Sequence, residues 1–297
     1  MVEVQDLHFS YGTRKAVKGL SFKVEPGEVF GLLGPNGAGK TSTFLLVAGV
    51  FPPQSGHVRI SGEPPSVKRV RFKLGFACQN LAVYEHLTAE ENLRLFGKLY
   101  GLRGWRLGER VQFCLDAAGF LQRKAQKVGT FSPGMKRRLN VVAAFCHNPE
   151  VILLDEPTAG VDPQSRSKIF QIIGQMKREG KTVLFSSHIL AEAEAICDRV
   201  AIIDHGEMIA EGTVGELVKR HGGPPVATGE MVERTDLPEL AGARWQGNRF
   251  FLPCPDPALT LPRLLELGRP KLKSLELKPP SLEEVFLQLT GREMRDA

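Results

Sequence analysis

The stretch GLLGPNGAGKTS, residues 31–42, leaves few folds open to this chain. The apolar run EVFGLLG leads into this stretch, and an apolar helical segment follows the stretch. Gly34, Gly39, Lys40 and Thr41 satisfy the pattern G-x-x-x-x-G-K-[ST]. A strand, a glycine-rich loop and a helix in this order form a phosphate-binding loop. The sequence therefore predicts an α/β fold built around a nucleoside triphosphate site.

Each residue type in this loop has a chemical reason. The glycines let backbone N–H groups close around phosphate oxygens, Lys40 brings a positive charge to the β and γ phosphates, and the Thr41 hydroxyl can ligate Mg²⁺. We therefore expect the nucleotide to contact nine consecutive residues: Gly34, Pro35, Asn36, Gly37, Ala38, Gly39, Lys40, Thr41 and Ser42.

The run VILLDE provides the acidic residues that such a site requires. Asp155 ends the apolar run and can orient the shell of a magnesium ion, and Glu156 can polarise an attacking water. In the following PTAGVDP, Asp162 and Pro163 fit the N-cap and first residue of a new helix. A helix cap alone would explain Asp162.

The hydrophobic patterns divide the strands into two kinds. MVEVQDLHFSYG alternates and GHVRISG is short and β-branched, which is typical of half-exposed strands in an antiparallel edge layer. EVFGLLG, VILLD and TVLFSSH are almost continuously apolar, as in parallel strands that are covered on both faces. The predicted core sheet is therefore mainly parallel.

Two further segments define the predicted domains. Between about 86 and 150 the pattern is helical, beginning with a capping box of Thr88 and Glu91, so this block is predicted to be a helical insertion. GGPP at 222–225 interrupts the pattern, and short strands with one clear helix, SLEEVFLQLTG, follow. We expect one domain over 1–222 and a small C-terminal α+β accessory domain over 223–297.

Composition excludes several classes of protein. The cysteines form no C-x-x-C pair, which argues against a zinc site or a disulfide framework and favours a reducing compartment. The N-terminal residues do not resemble a secretory signal, and the apolar stretch FLLVAGVF is too short to span a bilayer. The net charge of +6 is modest, and no stretch of basic residues has aromatic residues interleaved along it. We therefore expect no nucleic-acid partner.

The segment TFSPGMKRRL, residues 130–139, begins a helix with unusual charges. Ser132 is a good N-cap and Pro133 a good first residue, but Lys136, Arg137 and Arg138 crowd a turn where the helix dipole favours acids. One explanation is a solvated basic face. The other is a helix N-terminus that attracts an anion.

The order of these motifs, over residues 1 to about 220, resembles the ATP-binding subunit of an ABC transporter. The resemblance implies that Tyr11, in FSYG, stacks on adenine and that Gln79, in FACQN, senses Mg²⁺ and the attacking water. It also implies that His188, in LFSSH, contacts the γ phosphate, and that Asp162 lies in the loop that links the two sites of the family's dimer. The implied metal-binding residues are Thr41, Gln79 and Asp155.

FSPGM occupies the place of the family's Leu-Ser-Gly-Gly-Gln signature, which caps ATP bound to the other subunit. Ser132 and Gly134 are kept, whereas Phe131, Pro133 and Met135 depart from the pattern. Pro133 removes an N–H that a helix start leaves free, so the turn is compatible with it. Met135 lacks the polar contacts of glutamine. The basic residues would then lie beside a triphosphate.

The resemblance implies an ATPase, with ATP and Mg²⁺ as cofactors, that energises a separate integral membrane permease. The ending PPSLEEVFLQLTGRE resembles the C-terminal domain of drug, polyketide and sodium exporters, so export is expected. Two chains would form an ATP-bound homodimer, cytoplasmic and peripheral on the inner face of the membrane. The segment LAVYEHLT would pass motion to the permease.

The alternative is a soluble ABC ATPase in a process such as iron–sulfur cluster assembly. A GTPase is disfavoured, because the chain lacks an Asn-Lys-x-Asp motif.

Overall fold

The structure is a computed structural model and describes residues 1–234, 238–268 and 271–291. Its contacts divide the chain into a compact unit, Met1–Val214, and a second unit that begins at Gly215. The domain boundary predicted between residues 222 and 223 lies just after the helix Val214–His221.

A six-stranded sheet forms the centre of the first unit. Its order is β5–β6–β7–β3–β8–β9, and all neighbouring strands are parallel except β8 and β9. The strands are β3 (Val29–Leu33), β5 (Leu74–Ala77), β6 (Val151–Asp155), β7 (Thr182–Ser187), β8 (Arg199–Asp204) and β9 (Glu207–Thr213). The three continuous apolar runs became β3, β6 and β7, and every residue in these strands is buried. This confirms the mainly parallel core sheet.

The edge layer is a second, antiparallel sheet with the order β2–β1–β4. Its strands are β1 (Val2–Tyr11), β2 (Arg14–Val24) and β4 (Ser55–Ile60). Burial alternates along parts of these strands, since one face packs on the core and the other faces water. The predicted antiparallel edge layer is therefore present, with β2 as a strand that the sequence analysis did not identify.

Alternate residues of β6 pack into two different hydrophobic layers. Val151 and Leu153 belong to the cluster that includes the edge layer, whereas Ile152 and Leu154 belong to the cluster that includes the helical block. In a strand that is covered on both faces no side chain points to water, which explains the unbroken apolar sequence of β6. The core therefore fixes the end of β6 from both sides.

Seven helices of the first unit connect these strands. They are α1 (Lys40–Val47), α2 (Lys68–Arg71), α3 (Ala89–Leu99), α4 (Gly104–Ala118), α5 (Pro133–Phe145), α6 (Pro163–Arg178) and α7 (Leu190–Ile196). The block from α3 to α5 occupies the predicted helical insertion. At its start the Thr88 hydroxyl accepts from the Glu91 N–H at 3.1 Å, and the Glu91 carboxylate accepts from the Thr88 N–H at 2.8 Å. The predicted capping box is thus confirmed.

The second unit contains an antiparallel sheet with the order β11–β12–β10–β13. Its elements are α8 (Val214–His221), β10 (Val226–Met231), β11 (Arg244–Gln246), β12 (Arg249–Pro253), α9 (Pro257–Gly268), β13 (Leu272–Lys278) and α10 (Leu282–Thr290). A small core includes Phe250, Leu252 and Leu264. The predicted α+β character is confirmed, and α10 is the helix predicted from SLEEVFLQLTG.

Within the described ranges, no helix has both the length and the apolar character that a bilayer span requires.

Candidate functional site

The site lies at the carboxyl ends of the parallel strands. The glycine-rich loop follows β3, Asp155 ends β6, His188 follows β7, and Gln79 comes two residues after β5. Because parallel strands end at the same edge of a sheet, residues distant in sequence meet there.

The glycine-rich loop requires glycine at two positions because backbone passes close to it. A Cβ on Gly34 would lie 2.2 Å from the Ile203 carbonyl oxygen, and one on Gly39 would lie 2.5 Å from the Ala16 carbonyl oxygen. Gly39 also has a φ of +105°, in the left-handed region. Any side chain at either position would displace the neighbouring backbone, so the loop shape depends on both glycines.

The Lys40 ammonium is buried inside the loop. Its Nζ donates to the Gly34 carbonyl at 2.7 Å and to the Pro35 carbonyl at 3.2 Å, and it lies 3.1 Å from Glu156 Oε1. Burial lowers the pKa of Lys40, and the charge of Glu156 partly offsets that effect. The loop therefore holds a positive charge at its centre, where it can meet a phosphate.

Asp155 is fully buried at the end of β6. Its Oδ1 accepts from the Ser186 hydroxyl at 2.7 Å, whereas Oδ2 has no hydrogen-bond partner among the described residues. Burial raises the pKa of this carboxyl group, and the hydrogen bond from Ser186 acts in the opposite direction. A buried carboxylate oxygen without a partner beside a hydroxyl suits a hard cation, since such ions prefer oxygen ligands.

Glu156 joins three of the predicted site residues. Its Oε1 lies 3.1 Å from Lys40 Nζ and 3.3 Å from His188 Nδ1, and its Oε2 accepts from Gln79 Nε2 at 3.3 Å. Its backbone has a φ of +46° and donates an N–H to the Ser186 hydroxyl at 2.9 Å. Left-handed backbone at a residue other than glycine costs about 1–3 kcal/mol and is concentrated at functional sites. The predicted catalytic group is therefore assembled around this carboxylate.

A cavity of about 400 Å³ opens beside Glu156. Its lining consists of Tyr11, Arg14, Ala16, Asn36, Gly37, Gly39, Lys40, Thr41, Ser42, Gln79 and Glu156. The structure thus brings Tyr11 and Gln79 to the same space as the loop. Tyr11 packs edge-on against Phe9, with ring centroids 4.9 Å apart, and leaves part of its ring exposed. Arg14 also lines the cavity, although the sequence analysis did not select it.

Ser132, Gly134 and Asp162 lie outside the lining of this cavity. Ser132 caps α5, accepting from the Met135 N–H at 3.3 Å, and Asp162 caps α6, accepting from the Ser165 N–H at 2.8 Å. A Cβ on Gly134 would lie 2.2 Å from Ser165 Oγ. Both predicted caps are therefore present, and the start of α5 packs directly on the start of α6.

The basic run at the start of α5 has partners within the chain. Lys136 Nζ lies 2.5 Å from the Glu85 carboxylate, Arg137 is buried and donates to the Gln79 carbonyl, and Arg138 donates to the Ala118 carbonyl at 2.9 Å. Neither a solvated basic face nor a bound anion is needed to explain these cations.

One contact of α5 was missed from the sequence. Asn140 Oδ1 accepts from the Ala82 N–H at 3.0 Å, and its Nδ2 donates to the Cys78 carbonyl at 3.2 Å. Together with Arg137, this side chain fixes the segment that contains Gln79. The available signal was an asparagine at a buried position of an otherwise apolar helix face.

Comparison with known proteins agrees with this geometry. Residues 17–159 match the family described as ABC transporter. The linearmycin resistance ATP-binding protein LnrL of Bacillus subtilis is 37% identical over the full length of both chains. The Nod factor export ATP-binding protein I of Sinorhizobium fredii is 38% identical over 99% of this chain and 87% of its own. A solved dimeric ATP-binding cassette, in a post-hydrolysis state with ADP and Pi, is 25% identical, covers 72% of this chain and 98% of its own, and has a TM-score of 0.65.

Proposed function

The chain belongs to the ATP-binding proteins of ABC transporters, and we propose that two copies of it drive export through a separate integral membrane permease. As a member of this family it is an ATPase. The observation that carries the proposal is the contact of Glu156 with Lys40, Gln79 and His188 beside the cavity. Full-length similarity to a resistance protein and an export protein favours transport over the iron–sulfur alternative.

In this proposal each site residue has its own role in ATP hydrolysis. The loop N–H groups and Lys40 bind the phosphates and stabilise charge on the transferred γ-phosphoryl group. Glu156 polarises the attacking water as a general base. Gln79 and His188 contact the Glu156 carboxylate and orient it. The buried surroundings support this assignment, because electrostatic interactions are stronger away from water.

Magnesium is a proposed cofactor. Bound with ATP, Mg²⁺ would neutralise charge on the β and γ phosphate oxygens. Asp155 and Thr41 would hold it, and the unpartnered Asp155 Oδ2 supports this. Gln79 is the third proposed ligand, through its side-chain oxygen, since its Nε2 donates to Glu156.

The second copy supplies the remaining residues in this proposal. Ser132 and Asp162 are exposed N-caps at the starts of α5 and α6, with Gly134 beside them, and all three lie outside the cavity of their own chain; this exposure supports a role at the nucleotide of the other copy. The N-terminus of α5 presents N–H groups and a positive dipole end, which suit a γ phosphate. The dimeric state of the related cassette supports the same arrangement.

Docking to the permease is proposed for residues 81–88, the segment LAVYEHLT after Gln79. We expect the chain to lie at the inner face of the cell membrane and to be released by detergent together with an integral membrane protein. Leu81→Glu should weaken this association, because it places a charge on the surface that the permease would cover. Ile209→Glu is the matched control, since the two side chains are similarly exposed, at 40% and 38%.

The measurement is co-purification from native membranes after a salt wash. Equal recovery of the partner with both variants would refute docking through this segment. Recovery of the wild-type chain without any integral membrane protein would refute the transport role itself.

Adenine binding yields a further prediction. Tyr11→Ala should weaken ATP binding by about 1–3 kcal/mol, the range for an aromatic ring stacked on a base. Tyr11→Trp should bind ATP normally. Tyr84→Ala is the matched control, because Tyr84 is 46% exposed and Tyr11 is 47% exposed. The dissociation constant for ATP and the melting temperature should be measured together: a Tyr11→Ala chain that loses only stability would show that Tyr11 is a packing residue.

A further inference from the structure

Glu192 is a buried glutamate in α7 that takes no direct part in the proposed chemistry. Its Oε2 accepts from the Thr158 hydroxyl at 2.7 Å and from the Ser187 hydroxyl at 2.8 Å. Its Oε1 lies 3.2 Å from Arg166 Nε. One carboxylate, only 3% exposed, thus contacts three separate segments of the chain.

Two of these segments carry proposed site residues. Ser187 precedes His188 directly, and its hydroxyl also accepts from the Ile189 N–H at 2.9 Å, so it is fixed on both sides of His188. Thr158 lies between Glu156 and Asp162 in the loop after β6. Glu192 therefore joins the loop after β7 to the loop after β6.

The third segment is the first turn of α6. The Arg166 N–H donates to the Asp162 carbonyl at 2.9 Å, and Asp162 caps the helix through Ser165. Gly134 packs against the same turn, since a Cβ there would lie 2.2 Å from Ser165 Oγ. A change in the position of α6 would therefore reach both Asp162 and Gly134.

A carboxylate in this position must be held by its partners. Burying a charge is unfavourable unless it is hydrogen-bonded and paired, and charge-assisted hydrogen bonds are stronger than neutral ones. The Thr158 and Ser187 hydroxyls satisfy Oε2 of Glu192, whereas Oε1 faces the Arg166 guanidinium as an ion pair and has no hydrogen bond among the described residues. The loops are therefore held to one another through a single charged group rather than through separate contacts.

We propose that Glu192 is a positioning residue that couples His188, at its own nucleotide, to Asp162 and Gly134, which serve the nucleotide of the other copy. The inference rests on the proposed function, because that function assigns the roles of those three residues. Glu192 acts through the backbone of two loops and through α6, and it does not itself line the cavity beside Glu156.

Glu192→Gln tests the inference with little change in shape. The amide removes the charge that faces Arg166 and replaces one acceptor by a donor. We expect kcat for ATP hydrolysis to fall about tenfold, the lower end of the effect of removing a group that orients a site residue. KM for ATP should change less than about twofold, because the phosphate loop is untouched.

Glu28→Gln is the matched control. Glu28 is also buried, and its Oε1 lies 3.1 Å from Arg199 Nη1, so the same change removes a similar ion pair elsewhere in the first unit. This variant should keep its kcat. An equal loss of kcat in both variants would make the effect one of general stability and overturn the inference. If Glu192→Gln fails to fold, Thr158→Val and Ser187→Ala test the same two contacts singly.

Double-mutant cycles decide whether Glu192 acts through the named residues. Adding Glu192→Gln to His188→Ala, or to Asp162→Ala, should lower kcat by less than about twofold beyond the single variant. Full multiplication of the two losses in both cycles would overturn the inference. Normal turnover of Glu192→Gln beside an impaired His188→Ala would overturn this inference alone. Full turnover of His188→Ala would refute the proposed role of His188 itself, and with it this coupling.

Discussion

Glu156→Gln should lower the turnover number for ATP by about 100-fold or more while ATP binding is retained. The Glu156 carboxylate lies at the centre of this contact cluster, between Lys40, Gln79 and His188, and as the general base it would take the proton of the attacking water. Glutamine has nearly the same shape but cannot act as a base. Phosphate release at saturating ATP gives the turnover number, and titration with a fluorescent ATP analogue gives the dissociation constant.

The contacts of Glu156 decide how the result is interpreted. Glu156 is the carboxylate beside Lys40, so its replacement also changes the charge around a phosphate-binding lysine. A tighter or unchanged dissociation constant with slow turnover agrees with loss of the base. Glu28→Gln, the buried control, should turn over normally. Near-normal turnover of Glu156→Gln would show that another group activates the water.

Much of the core of this site could be predicted because its requirements are local in sequence. The loop of residues 34–42 needs glycine where backbone passes within van der Waals distance, and it needs a lysine and a hydroxyl next to them. The strands before Asp155 and His188 are buried on both faces, so an apolar run that ends in a polar residue marks each of them. Local pattern and tertiary position agree at these points.

The remaining features depend on partners that are distant in sequence. Arg137 and Asn140 hold the segment around Gln79 from a helix some 60 residues away, and the pattern around α5 gives no sign of that segment. The sequence places the basic run beside a triphosphate because it does not reveal the run's intramolecular partners, which are backbone carbonyls for Arg137 and Arg138 and the distant Glu85 carboxylate for Lys136. Helix α9 was missed since Pro262 lies inside it, and proline usually disfavours a helix interior.

The largest test of the two-copy arrangement combines two variants that should each be inactive. Ser132→Arg should bind ATP in its own phosphate loop but lower turnover by about 100-fold or more, since a bulky cation replaces the cap on the other copy's phosphate. Lys40→Ala should lose ATP binding, because it removes the charge on the β and γ phosphates. In an equal mixture, a heterodimer contains one intact composite site. That site combines the unaltered phosphate loop of the Ser132→Arg chain with the unaltered α5 of the Lys40→Ala chain. Random pairing would restore up to about a quarter of the wild-type rate per chain.

The mixture distinguishes a site built from two chains from a site built within one chain. Each variant chain carries its own defect, so activity can return only if one site takes its phosphate loop from one chain and its α5 from the other. The ATPase rate should be followed against total chain concentration, with ATP-dependent dimerisation measured by light scattering in the Glu156→Gln background. Ser281→Arg is the matched control, since it places the same residue at the N-cap of α10 in the second unit and should leave turnover intact. Full turnover of Ser132→Arg alone, with a rate per chain that stays constant on dilution, would contradict the composite site. Ser132 would then be a helix cap only, worth about 0.5–2 kcal/mol of stability.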